Sequence, residues 1–278
     1  MLFSTTILTG LLSLAVAAPT KPGYVNIPLT HPISGVKNGS EVSNEEFVAR
    51  LGYNFVEKNV RKYSSELFAA GIVQNSSYAL SLVPANSSLT SEITFGGVNT
   101  GRYEGDLKEI FGQADPDQFV FRAGGNVNSA PFSNSSLWFV DAGKTLTYLN
   151  PATYEVVFGA LLHNAGIRLS SQDTLATYPC ADGAKAIFRW TTPSSAIELT
   201  LADFGIPLND VLDNGDKENC FVGIASSTFN NLGDSNVLGS NFLNNFYSVF
   251  DLKKNTLNLA KPAHKPDHYQ AGFVASFE

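Results

Sequence analysis

The sequence predicts an all-β domain. Short apolar runs recur between clusters of Gly, Pro, Asn and Ser, which is strand-and-turn punctuation. Strand-forming aromatics are abundant, with 20 Phe and 10 Tyr among 278 residues. Helical periodicity is confined to a few short stretches. With 44% hydrophobic and 15% charged residues, the composition is that of a packed chain and not of a disordered one.

Residues 2–17 form an uncharged apolar run ending in Ala15-Val16-Ala17, and residues 1–17 are read as a signal peptide. The run is too short and wrongly flanked for a membrane anchor, and none is expected elsewhere. Residues 18–57 read as a propeptide-like or N-terminal remnant segment. Within it, residues 24–29 alternate like a strand, and Ser43 with Glu46 makes a capping box that opens a helix through Phe47, Val48 and Leu51. The main domain is placed at residues 58–262, starting with an amphipathic helix over 60–70 stopped by Gly71. Strands are expected at 78–83, 92–95, 118–121 and 137–140, with Gly96-Gly97 and Gly124-Gly125 as punctuation. Residues 151–162 have helical spacing, with Tyr154, Val157, Phe158 and Leu161 on one face. Further strands are expected at 186–190, 197–201, 221–224, 236–239, 246–251 and 256–260, before a polar tail over 263–278.

The compartment follows from the same residues. Asn38, Asn75, Asn86 and Asn134 each open an Asn-x-Ser acceptor sequence, expected on loops of a glycosylated secreted protein. Cys180 and Cys220, an even count in an oxidising setting, predict one disulfide. The expected location is extracellular, or the lumen of a vacuole. A net charge of −7 argues against a nucleic-acid or anionic-membrane partner. No cofactor and no metal are expected: His264 and His268 are separated by Pro266 in the polar tail, and His31 and His163 stand alone.

The most informative stretch is residues 137–149, LWFVDAGKTLTYL. Two apolar runs flank a single carboxylate, Asp141, at a glycine turn, and burying a charge there is costly unless it is used. The alternative is an Asp that merely caps its turn. Trp138, Tyr148 and Phe158 are read as core.

Several ordered motifs now resemble those of a pepsin-like aspartic endopeptidase of the fungal secreted kind, over roughly residues 58–262. They are Phe68-Ala69-Ala70-Gly71 with Tyr78-Ala79-Leu80-Ser81-Leu82, Ile93-Thr94-Phe95-Gly96-Gly97-Val98-Asn99, and Arg102-Tyr103-Glu104-Gly105. The Asp141-Ala142-Gly143 block, the Cys180/Cys220 pair, Asn236-Val237-Leu238-Gly239-Ser240-Asn241-Phe242-Leu243 and residues 246–252 follow in the family's order. The resemblance implies the C-terminal lobe of the pepsin-like fold, with the N-terminal catalytic lobe missing. It implies peptide hydrolysis at acidic pH by two carboxylates, one from each lobe, sharing a proton.

Each family carboxylate sits in Asp-Thr-Gly or Asp-Ser-Gly, where the hydroxyl reaches across to the other lobe and another hydroxyl, three residues after the Asp, supports the carboxylate. Here Ala142 and Lys144 stand at those positions, and no other Asp begins either motif. Asp141 is therefore the retained second-lobe position of a dyad that is incomplete as written. Lys144 is expected to favour its ionised form. The alternative role is a non-catalytic lobe that binds peptides or a related protease. A lone lobe is further expected to expose strand edges and apolar surface, and so to self-associate.

Overall fold

A computed structural model describes residues 24–29, 57–83, 90–113, 115, 117–172, 175–211, 217–263 and 273–274. The expected signal peptide, the Ser43 capping box, Asn38, Asn86, His31, His264 and His268 lie outside them. The strands in chain order are β1 (Val25–Leu29), β2 (Ser77–Ser81), β3 (Ser91–Phe95), β4 (Val98–Asn99), β5 (Tyr103–Phe111), β6 (Phe119–Val127) and β7 (Ala130–Val140). They continue as β8 (Thr147–Leu149), β9 (Ser170–Gln172), β10 (Leu175–Pro179), β11 (Ile187–Thr191), β12 (Ala196–Thr200) and β13 (Ile206–Pro207). The last are β14 (Asn219–Phe221), β15 (Ile224–Ser226), β16 (Asn236–Leu238), β17 (Tyr247–Asp251), β18 (Thr256–Pro262) and β19 (Phe273–Val274). Five helices punctuate the described residues: α1 (Glu57–Ala69), α2 (Pro151–His163), α3 (Leu201–Phe204), α4 (Leu208–Val211) and α5 (Ser240–Leu243). The all-β expectation holds.

One sheet has six strands in the order β1-β3-β2-β17-β18-β5, and a second has seven in the order β12-β11-β6-β7-β16-β8-β15. Four short strands, β13-β14-β10-β9, form a third, and β19 pairs with β4. The seven-stranded sheet is mixed: β16 runs parallel to β7 and antiparallel to β8, and β15 runs parallel to β8. That arrangement brings the ends of β7 and β16 side by side, which matters for the site.

An aromatic core is built on the seven-stranded sheet. Trp138 and Trp190, both fully buried, meet edge to face with ring centroids 5.8 Å apart. Phe132, Phe188 and Phe242 pack around them. Tyr148 is also fully buried, so Trp138 and Tyr148 are core as expected, whereas Phe158 is half-buried and stacks on Tyr154 at 4.1 Å.

The helices form for readable reasons. The Asn150 side chain accepts from the Thr153 amide and Pro151 occupies the first turn of α2. At the end of α1, Gly71 takes φ +68°.

Four differences from the expectation have physical causes. Every residue of β2 and β3 is buried, so these strands are covered on both faces and side-chain alternation is not what defines them. Gly124 and Gly125 do not end a strand; β6 runs through them with a shift of register against β7. Among the described residues β5 is an edge strand paired with β18 and mostly exposed, so its charged sequence lacked an apolar signal. Phe273 and Val274, within the stretch read as a polar tail, return to pair with Asn99 and Val98.

β1 is docked by side chains as well as by its ladder. Glu92 of β3 is 4% exposed and accepts from Arg102 at 2.8 Å, Asn99 at 3.0 Å and Asn26 at 3.1 Å. Asn26 in turn accepts from Thr94, and the buried Tyr247 hydroxyl accepts from the Asn99 amide at 2.7 Å. A buried carboxylate with a guanidinium and two amides around it meets the requirement that buried charge be paired and hydrogen-bonded.

Candidate functional site

Asp141 follows β7 directly, at the point where that strand gives way to a turn leading into β8. Its backbone N–H donates to the Leu238 carbonyl of β16 at 3.0 Å, continuing the β7–β16 ladder by one more bond. Its carboxylate Oδ1 accepts from the Gly143 amide at 2.9 Å, and Lys144 N–H donates to the Asp141 carbonyl at 3.1 Å. The turn is therefore closed on itself and anchored to the neighbouring strand.

The far side of the turn is held by residues just after β16. Ser240 N–H donates to the Lys144 carbonyl at 2.6 Å, and Asn241 N–H to the Thr145 carbonyl at 3.1 Å. A Cβ on Gly239 would lie 2.2 Å from the Leu146 carbonyl oxygen, so only glycine permits this approach of the two segments. Thr147, fully buried, donates its hydroxyl to Asn241 at 3.1 Å.

Asp141 is half-buried, and burial pushes its carboxyl above the ordinary value of 3.8. The Gly143 amide and the Lys144 charge pull the other way and are outweighed. Lys144 favours the ionised form, as expected, but does not decide the balance. Removing the carboxylate from water acts more strongly. Ala142 is fully buried in the chain's own core.

The sign of this shift makes a stability prediction. A carboxyl whose folded value lies above its unfolded value stabilises the fold fully below about 3.8 and loses that contribution as pH rises through the folded value. Asn resembles the protonated acid. Asp141→Asn is therefore expected to match the parent in melting temperature near pH 3 and to exceed it at pH 7. Equal differences at both pH values would contradict the burial argument.

The other expected residues fall elsewhere. Cys180 and Cys220 are joined by a disulfide with a Cα–Cα distance of 5.1 Å. It links the end of β10 to β14, where Tyr178 already faces Cys220 in register. Asn75 is half-buried in the turn before β2, while Asn134 lies within β7 and not on a loop. His163 ends α2. Gly223 was not singled out from sequence, and Asn241 was read only as a member of the 236–243 motif. The signal for Asn241 was present in the run Val237–Leu243, where one amide interrupts residues that are otherwise apolar or small.

Comparisons with known proteins agree with this architecture. Residues 39–262 match the family model described as eukaryotic aspartyl protease. The acid extracellular protease of Yarrowia lipolytica is 32% identical over 241 residues, covering 84% of this chain and 59% of that protein. Candidapepsin of Candida tropicalis is 26% identical over 224 residues, covering 79% of this chain and 52% of that one. The crystal structure of the aspartic proteinase from Irpex lacteus matches with a TM-score of 0.59 at 20% identity, over 74% of this chain and 62% of that chain, a likeness of fold. The chain thus spans between half and two thirds of the length of these proteins.

Proposed function

Because the chain belongs to the eukaryotic aspartyl protease family, we propose that it is a secreted pepsin-like lobe that presents one carboxylate of the family's pair and does not hydrolyse peptides on its own. The observation that carries this reading is the Asp141 turn itself. It closes on its own carboxylate and sits at the end of two parallel strands. Yet Ala142 and Lys144 follow Asp141, and no other Asp in the sequence begins Asp-Thr-Gly or Asp-Ser-Gly.

Hydrolysis of a peptide bond by carboxylates needs one group to take a proton from water while another gives one to the peptide. Two carboxyl groups close together divide these roles because they cannot both ionise. Asp141, with its value raised by burial, suits the protonated role. A lone carboxyl has no partner for the other. The chain then acts as a half-site: acid proteolysis requires a second carboxylate from another lobe, and peptide or protease binding without cleavage is what remains otherwise. The exposed β5 edge and Phe111, 62% exposed at its end, support self-association as part of the same reading.

The test is incubation of the purified chain with denatured protein substrates at pH 3–5, beside Asp141→Asn. No cleavage above the Asp141→Asn background is expected. Cleavage that the substitution abolishes would overturn the half-site reading.

A further inference from the structure

Asn241 is 7% exposed, and a buried amide is costly unless both its ends are bonded. Here both are. Oδ1 accepts from the Thr147 hydroxyl at 3.1 Å, and Nδ2 donates to the Gly223 carbonyl at 2.7 Å. The Gly223 carbonyl also accepts from Thr147 N–H at 3.2 Å, so three segments that are distant in sequence meet at one side chain. The Asn241 carbonyl is itself tied to the Asn245 side chain at 2.9 Å, which fixes α5 beneath the junction.

We propose that Asn241 is the positioning residue of the Asp141 turn. The proposal rests on reading Asp141 as the retained carboxylate, and it goes beyond that reading by naming what holds the carboxylate in place. The turn has two ends. The near end is fixed by Asp141 N–H on the Leu238 carbonyl, and the far end by the bonds of residues 144–147 to Ser240 and Asn241. Backbone bonds secure the near end whatever side chains are present. At the far end backbone bonds to the Lys144, Thr145 and Gly223 carbonyls and a Ser240 hydroxyl bond to the Thr145 carbonyl are joined by the Asn241 amide, which bridges the Thr147 hydroxyl and the Gly223 carbonyl. Without it, the Thr147 hydroxyl and the Gly223 carbonyl each lose a partner inside the protein, and the turn loosens toward water. The carboxylate then gains solvent and the Gly143 amide loses its fixed place against Oδ1. Lys144 is the charged group facing Asp141 from the same turn, and it remains in either case.

The experiment is an NMR titration of the Asp141 carboxyl carbon and the Gly143 amide in the full chain, with Asn241→Leu, Thr147→Val and Ser64→Ala. Asn241→Leu keeps the branched shape and the number of side-chain heavy atoms and removes both side-chain bonds. Thr147→Val removes one of them in nearly the same shape. Ser64→Ala removes a buried hydroxyl bond to the Ser77 carbonyl, away from the turn, and serves as the structural control.

The Asp141 midpoint is expected to fall toward 3.8 in Asn241→Leu, and part of the way in Thr147→Val, with the Gly143 amide no longer following it. Ser64→Ala is expected to leave the midpoint at the parent value. A folded Asn241→Leu with the parent midpoint would overturn the proposal. Should Asn241→Leu fail to fold, an unchanged midpoint in Thr147→Val overturns it equally, and so does a matching shift in Ser64→Ala. Since no cleavage is read, failure of the half-site reading leaves this result intact.

Discussion

Replacing Cys180 and Cys220 together by alanine is expected to lower stability by about 4 kcal/mol. The disulfide spans a sequence separation of 40 residues, and closing a loop of that length in the unfolded chain removes about that much entropy. The folded state has little to offset the loss. β10 and β14 share only three register pairs, and β13 and β9, their other partners, add two and three more. The Cys180 amide bond to the Glu218 carbonyl at 2.7 Å depends on the same juxtaposition. Cys220 is 5% exposed, so its sulfur also leaves a small void. Urea unfolding of the oxidised parent and the double variant measures the difference, and a loss under about 1 kcal/mol would show that strand pairing alone holds this sheet.

Gly223→Ala is expected to cost more than about 3 kcal/mol or to prevent folding. Gly223 has φ +70°, and a Cβ there would lie 1.9 Å from the Phe204 carbonyl oxygen, which belongs to the backbone and cannot rotate away. It would also press on the Asn241 amide at 3.0 Å. Gly71 is the matched control. Its φ is +68°, but nothing lies within 4 Å of a Cβ there. Gly71→Ala therefore isolates the cost of the backbone conformation, about 1–2 kcal/mol. The excess at Gly223 is the clash. Thermal unfolding of the two variants side by side tests it, and equal losses would refute the steric argument.

Much of the fold was legible because local signals and tertiary structure agree. The α2 helix was readable from its apolar spacing, the end of α1 from Gly71, and β3 from the run into Gly96. Asp141 stood out because a charge between two apolar runs conflicts with burial, and the structure resolves that conflict with a closed turn. Pairing was less legible. β1 bonds to a strand 66 residues away through Asn26 and Glu92, and no local pattern encodes such a partner. β5 lacked a signal because an edge strand is exposed and charged. The pull of Lys144 on Asp141 was legible because Lys144 is visible in sequence, whereas the stronger effect of burial is a property of the assembled sheets.

The order of the six-stranded sheet has a consequence for how the chain is made. Its two inner strands on one side, β17 and β18, come from residues 247–262, yet they lie between β2 and β5, which are synthesised far earlier. On the ribosome β2 can pair at once with β3, but its other edge and the whole of β5 have no neighbour in this sheet until residues 247–262 have emerged. Completion of this sheet thus waits for residues 247–262, and the long sequence separation of its pairs makes it slow. Through that interval β5 and the edge of β2 that faces β17 stay open, each a template for pairing with another chain.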